Sequence, residues 1–241
     1  MVNRLIYFFK RRLRLLFKKN VVHFIGDSHT EVFWHMEFSP FYFWKITPKI
    51  KIVHGATATG LTNPNSQTNA WQQFENYLSN EVEKDDFVVF QLGEVDCGFA
   101  IWYRAEKHNI SIEKQMTMAV ENYSALISHS MSVVGKNVII CSAVLPTIKD
   151  HKSLGEVANL RKEVKESIKN RTNLTLSFNR SLHTLANNNG LRFLNMDEDL
   201  LNQNTGIIHS NLLHPNPKDH HLNPAPLSKI IYPKLMRLIS N

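Results

Sequence analysis

The 241-residue chain has two cysteines, and no acidic residue among its first twenty positions. It also has no apolar stretch near the roughly 20 residues that cross a bilayer. Each scarcity excludes something. Cys97 and Cys141 cannot make a disulfide framework or a CxxC metal knuckle. Cys141 stands in an apolar run and reads as a small core residue. The missing acids explain the charge. Residues 1–20 hold Arg4, Lys10, Arg11, Arg12, Arg14, Lys18 and Lys19, so the net +7 belongs to that segment. The rest is balanced, and a balanced body does not present the basic face of a nucleic-acid-binding domain. Low charge (20%) beside 43% hydrophobic residues excludes a disordered chain.

Residues 1–20 do not read as a secretory signal. The run LIYFF is followed at once by KRR, whereas a signal peptide needs an apolar core of roughly 7–15 residues. Leu, Ile and Phe mixed with Lys and Arg fit a basic amphipathic helix on an anionic membrane surface. They also fit an N-terminal helix packed on the body. The first reading places the protein in the cytoplasm, peripheral at the inner membrane face. The expected division is residues 1–20 as this segment and 21–241 as one domain.

Within the body, apolar runs alternate with helical patterns. Strands are expected at 21–26, from 49 or 50 to 55, and at 86–93, 137–145 and 191–196. Helices are expected at 68–80, 111–134, 156–188 and 226–240. Strands this apolar suit burial on both faces, as in parallel sheets. The alternation predicts a three-layer α/β/α sandwich around a parallel five-stranded sheet. Ligands of such sheets bind beyond the carboxyl ends of the strands, so the residues that follow each strand carry the most information.

GDSHT follows the first strand (Gly26–Thr30), and HGATATGL follows the second. GEVDC follows the third, and KDHHLN precedes the last helix. A serine, two glycine turns and an Asp/His pair would meet at one edge. Acyl transfer needs these groups. A serine hydroxyl needs a base, which a histidine supplies and a carboxylate orients. Backbone N–H groups at a glycine turn can hold an oxyanion. There is no G-x-S-x-G elbow, which sets the chain apart from the usual α/β-hydrolase arrangement.

These four blocks resemble those of the SGNH/GDSL-type serine hydrolases, and their wording resembles bacterial members associated with surface-polysaccharide genes. They cover about thirty residues spread from Gly26 to Asn223. The resemblance implies a flavodoxin-like fold and hydrolysis of an O-acyl ester, here an acetyl ester on a saccharide. A saccharide O-acyltransferase and a non-catalytic saccharide-binding protein are the alternatives. By the same resemblance Ser28 is the nucleophile, His221 the base and Asp219 its partner. Ser28 and Gly55 supply oxyanion N–H groups, with Gly60 competing for the second place. Glu94 and Asp96 are further candidates on the oxyanion or substrate side. Asp96 also reads as a brace for the third-block loop, and Glu94 as either site polarity or a surface charge.

Two departures stand out. Val95 occupies the position where the family has an oxyanion asparagine, so Glu94, Gln91 or a backbone N–H must substitute. The last block is spaced Asp-x-His rather than Asp-x-x-His, which leaves His214 and His220 as rival bases. His209, His214, His220 and His221 with Asp219 have possible metal-ligand spacing, but the family's loop already accounts for one His and one Asp. No metal or cofactor is expected. Phe99, Trp102 and Tyr103 either wall a sugar site or pack a helix start onto the sheet.

Overall fold

The structure is a computed structural model that describes residues 20–35, 45–150 and 166–240. The expected basic helix and most of the first third of the expected helix 156–188 lie outside these residues.

Five parallel strands form the sheet: β1 (Asn20–Gly26), β2 (Ile46–Ile52), β3 (Phe87–Gln91), β4 (Val138–Cys141) and β5 (Arg192–Leu194). Their order is β2-β1-β3-β4-β5. The chain leaves β1 toward one edge and returns on its other side as β3. Residues just after β1 and β3 therefore line the crevice where the strand order reverses.

The alternation of side chains splits the core in two. Val22, Phe24, Val89, Ile139 and Cys141 face one layer, with Leu227, Ile231 and Leu235 of α6 (Pro224–Ser240). Ile25, Val88, Phe90, Val138 and Ile140 face the other. There they meet Phe74 and Leu78 of α1 (Ala70–Glu81), Tyr123 and Leu126 of α3 (Ile112–Val134), and Phe178 and Leu182 of α4 (Ile168–Asn188). This is the expected three-layer arrangement. Ser111 caps α3 by accepting from Lys114 N at 3.1 Å, and Ser167 caps α4 in the same way. Both cysteines are buried as free thiols, and burial pushes both thiols up.

Several boundaries differ from expectation for physical reasons. β2 starts at Ile46 and contains Pro48, which an edge strand tolerates. β4 stops at Cys141, although Ser142–Leu145 stay buried. Their chain leaves the ladder, with Ser142 N donating to Leu194 O at 3.0 Å. Three elements were not expected as units. They are α2 (Ile101–His108), the short α5 (Asp197–Leu200), and the hairpin of β6 (Leu201–Asn202) and β7 (Ile207–Ile208).

Asp197, at the start of α5, accepts from Asn179 Nδ2 at 2.7 Å. Burial pushes its carboxyl up to about 6 despite that bond. The folded state thus holds this proton more tightly than the unfolded chain. The group's effect on stability falls as pH rises from about 4 to about 6, and stays unfavourable above. Asp197→Asn is expected to melt above the wild type at about pH 7, the difference closing toward about pH 4. Thermal melts across this range check it, and a pH-independent difference would contradict it.

Candidate active site

The path of the chain out of β1 is set by Gly26. A Cβ there would stand 2.0 Å from the Gln91 carbonyl oxygen and 2.3 Å from Thr30 Oγ1. Only glycine lets β1 end this close to β3. Asp27 then caps the 3-10 turn Ser28–Phe33 by accepting from His29 N at 2.9 Å. Asp27 is buried, and its carboxyl is pushed up to about 7 by burial first. The His29 ring pulls it down and Glu94 pushes it up. Asp27 thus orders the turn, and Ser28 is left half-buried at its first position.

After β2 the chain makes a glycine turn. Gly55 is exposed with φ +71°. The N–H of Gly60 is spent inside this loop, donating to Thr57 O at 3.1 Å and Thr57 Oγ1 at 3.0 Å. That use weighs against Gly60 as an oxyanion donor.

The loop after β3 supplies two buried acids with different tasks. Asp96 accepts from Ala58 N at 2.7 Å, Thr59 N at 2.9 Å and Thr59 Oγ1 at 2.9 Å. Its brace therefore reaches the second-block loop rather than only its own, and both of its oxygens are committed there. Burial pushes this carboxyl up, and the three donors hold it down in part. Glu94 is no surface charge. It is 1% exposed and bonded to His29 Nε2 at 3.0 Å. Gly93, at φ +124°, brings the turn against Phe178, whose ring would meet a Cβ at 2.5 Å. Gln91 turns its amide nitrogen to Cys141 Sγ at 3.7 Å, away from any oxyanion role. Val95 is half-buried at the start of the following helical turn.

The fourth block is a loop pinned at its base. Leu213 bridges Leu222, and Asn223 N donates to Leu212 O at 2.8 Å. Within it Asp219 Oδ1 meets His221 Nδ1 at 2.7 Å and also accepts His221 N at 2.9 Å. The Asp-x-His spacing therefore permits the pair. Burial would raise the Asp219 carboxyl, but the bonds from His221 outweigh it, and the net direction is down. His214 Nδ1 lies 3.6 Å from the other oxygen of Asp219. His220 stacks beside His221, with ring centroids 4.2 Å apart, and its carbonyl accepts from Thr147 Oγ1.

The loops meet through rings. The His29 ring centroid is 4.9 Å from that of His221 and 5.5 Å from that of His220. The structure thus brings the Asp219–His221 pair against the residue next to Ser28. The motifs give no sign of the bond between His29 and Glu94. Trp102 donates Nε1–H to Cys97 O at 2.7 Å and packs on the core. Phe99 and Tyr103 stack on each other. The helix-packing reading holds for Trp102.

No family model matches the chain, and no curated protein sequence matches it. Solved structures do match. A GDSL-like lipase from Bacteroides thetaiotaomicron superposes with a TM-score of 0.56 at 15% identity, over 91% of this chain and 89% of that one. A variant of an acetyl-xylooligosaccharide esterase from Geobacillus gives 0.53 at 14% identity, over 92% and 94%. A phospholipase A1 from Streptomyces albidoflavus gives 0.50 at 14% identity, over 91% and 99%. The fold of this chain is that of the GDSL-type hydrolases.

The Asp96 brace has a measurable consequence. Asp96→Ala leaves the buried N–H groups of Ala58 and Thr59 without their acceptor. This is expected to cost about 2–4 kcal/mol of unfolding free energy. Denaturant melts check it, and a loss under about 0.5 kcal/mol would show that the loop holds without the carboxylate.

Proposed function

We propose that the protein is a serine esterase that cleaves an O-acyl ester, acetyl foremost, on a saccharide. Ser28 Oγ attacks the ester carbonyl carbon, and His221 Nε2 takes the hydroxyl proton. Asp219 holds His221 through Nδ1 and stabilises the cation that forms. The N–H groups of Ser28 and Gly55 face the oxyanion. The tetrahedral adduct then breaks its bond to the sugar oxygen, which leaves with the proton from His221. Water, deprotonated by the same nitrogen, releases the acyl group from Ser28.

The observation that carries this reading is the 2.7 Å Asp219–His221 contact beside the turn that holds Ser28. A second supports it. With Nδ1 occupied, His221 Nε2 is buried and has no hydrogen-bond partner among the described residues. An imidazole held this way keeps its lone pair on the nitrogen that must accept a proton. The saccharide rests on the motif resemblance and on the esterase among the structural neighbours. Val95 favours the non-catalytic alternative, because it removes a donor that is worth roughly 10²–10³ in rate where present.

Fluorophosphonate labelling with peptide mapping tests the assignment. An adduct is expected on Ser28, absent in Ser28→Ala. Labelling should slow by about 10²-fold or more in His221→Ala and stay near the wild-type rate in His214→Ala. Sensitivity to His214→Ala alone would move the base there. No adduct, together with no hydrolysis of an aryl acetate, would favour the non-catalytic saccharide-binding alternative. Transfer of the acyl group to added saccharide, in place of its release to water, would make the protein an acyltransferase.

We further propose that residues 1–20 hold the protein on anionic membrane, given seven cations among leucine and phenylalanine. The full chain should co-sediment with phosphatidylserine vesicles and be released by salt, whereas the chain lacking residues 1–19 should stay in solution. Equal sedimentation of the two would overturn this.

A further inference from the structure

We propose that His29, His220 and His221 form a binding site for a divalent cation of the zinc class. One nitrogen from each ring lies within 4.8 Å of the others. The three residues come from two loops, after β1 and before α6, which the fold brings to one crevice.

Two of the rings are held as metal-binding imidazoles usually are. His29 uses Nε2 on Glu94 at 3.0 Å, and His221 uses Nδ1 on Asp219 at 2.7 Å. A carboxylate on one ring nitrogen fixes the tautomer and turns the lone pair of the other outward, raising its basicity. In His221 that other atom is Nε2, buried and without a hydrogen-bond partner among the described residues. In His29 it is Nδ1. His220 adds a third ring, and its backbone is anchored because its carbonyl accepts from Thr147. Tetrahedral zinc sites place nitrogens about 2.0–2.1 Å from the ion, hence roughly 3.3 Å from one another. Closing from 4.8 Å asks for small ring rotations by His220 and His221, which are half-buried on a loop, around a buried His29.

The donor set selects the cation. Three imidazoles suit Zn²⁺, Co²⁺, Ni²⁺ and Cu²⁺ and disfavour Mg²⁺ and Ca²⁺, which take oxygen ligands. Three ligands leave one position for water or a substrate oxygen. The site also has a consequence that rests on the proposed serine chemistry. The lone pair of His221 Nε2 can bind the ion or accept the Ser28 proton, but not both. A bound zinc ion would therefore silence Ser28.

The test uses the full chain, stripped of metal and carrying no histidine tag. Zn²⁺ is titrated by calorimetry, and Co²⁺ by its visible ligand-field bands. One ion per chain is expected, together with Co²⁺ bands of tetrahedral intensity. Affinity should fall at least tenfold in His220→Ala and in His29→Ala. It should fall about 10- to 100-fold in Glu94→Gln, whose carboxamide weakens the outer bond. His214→Ala should bind as the wild type does. Circular dichroism confirms that each variant is folded. No stoichiometric binding by the wild type, or undiminished binding by a folded His220→Ala, would overturn the site. Zn²⁺ should also block fluorophosphonate labelling of the wild type, with recovery on chelation, and spare His220→Ala. A protein that never labels would remove the serine chemistry while the Co²⁺ spectrum still reports the site. Labelling undiminished at saturating Zn²⁺ would overturn the shared lone pair.

Discussion

No side chain fits at position 26. The carbonyl of Gln91 lies where a Cβ would be, so the ends of β1 and β3 are locked at backbone contact. Val53 N, at the end of the second strand's path, donates to Gly26 O at 2.9 Å on the other side. Three loops that could otherwise splay therefore leave the sheet from one point. Everything above the sheet inherits its position from this. Asp27 caps the turn, Ser28 stands at its first residue, and His29 is carried inward to Glu94. A close backbone approach is among the few tasks that glycine alone performs, and here it precedes the proposed nucleophile by two residues.

Above that junction the polar groups are mostly committed to one another. Asp96 spends both oxygens on the second-block loop. Gly60 spends its N–H on Thr57. Asp219 divides its oxygens between His221 and, at longer range, His214. Each commitment stiffens a loop that would otherwise move, and orientation is a large part of what such sites supply to a reaction. The same commitments narrow the field. In the proposed reaction Gly55 and the turn at Ser28 are then left to face the oxyanion.

The parallel sheet was legible because its central strands are apolar on both faces. VVHFIG, FVVF and VIIC could be read without knowing their neighbours. The edge strand was misplaced at its start for the converse reason. Ile46–Ile52 is only half covered, and Pro48 looks like a terminator until the edge position excuses it. The short elements α2, α5 and the β6/β7 hairpin carry too few residues for a period to show. For the site, the motifs brought out Ser28, Asp219 and His221. The pairing of Asp219 with His221 was also expected, but the rivalry of His214 and His220 stayed open, because the loop closed by Leu213, Leu222 and Asn223 is a tertiary constraint. The His29–Glu94 bond joins residues 65 apart and has no local signature at all.

The electrostatics of the crevice join these observations. Asp27, Glu94 and Asp96 are all buried, on the two turns that follow β1 and β3. Burial is the main reason that Asp27 stands near 7, and Glu94 and Asp96 add to it against the pull of the His29 ring and N–H. Such a group of acids needs protons or cations close by. The fold sets the His29 ring on Glu94, with the half-buried rings of His220 and His221 beside it. A substrate ester is neutral at its reacting carbon and turns anionic only as it reacts. In the proposed reaction that charge forms in a crevice that already holds three buried acids, which is why backbone N–H groups must face it.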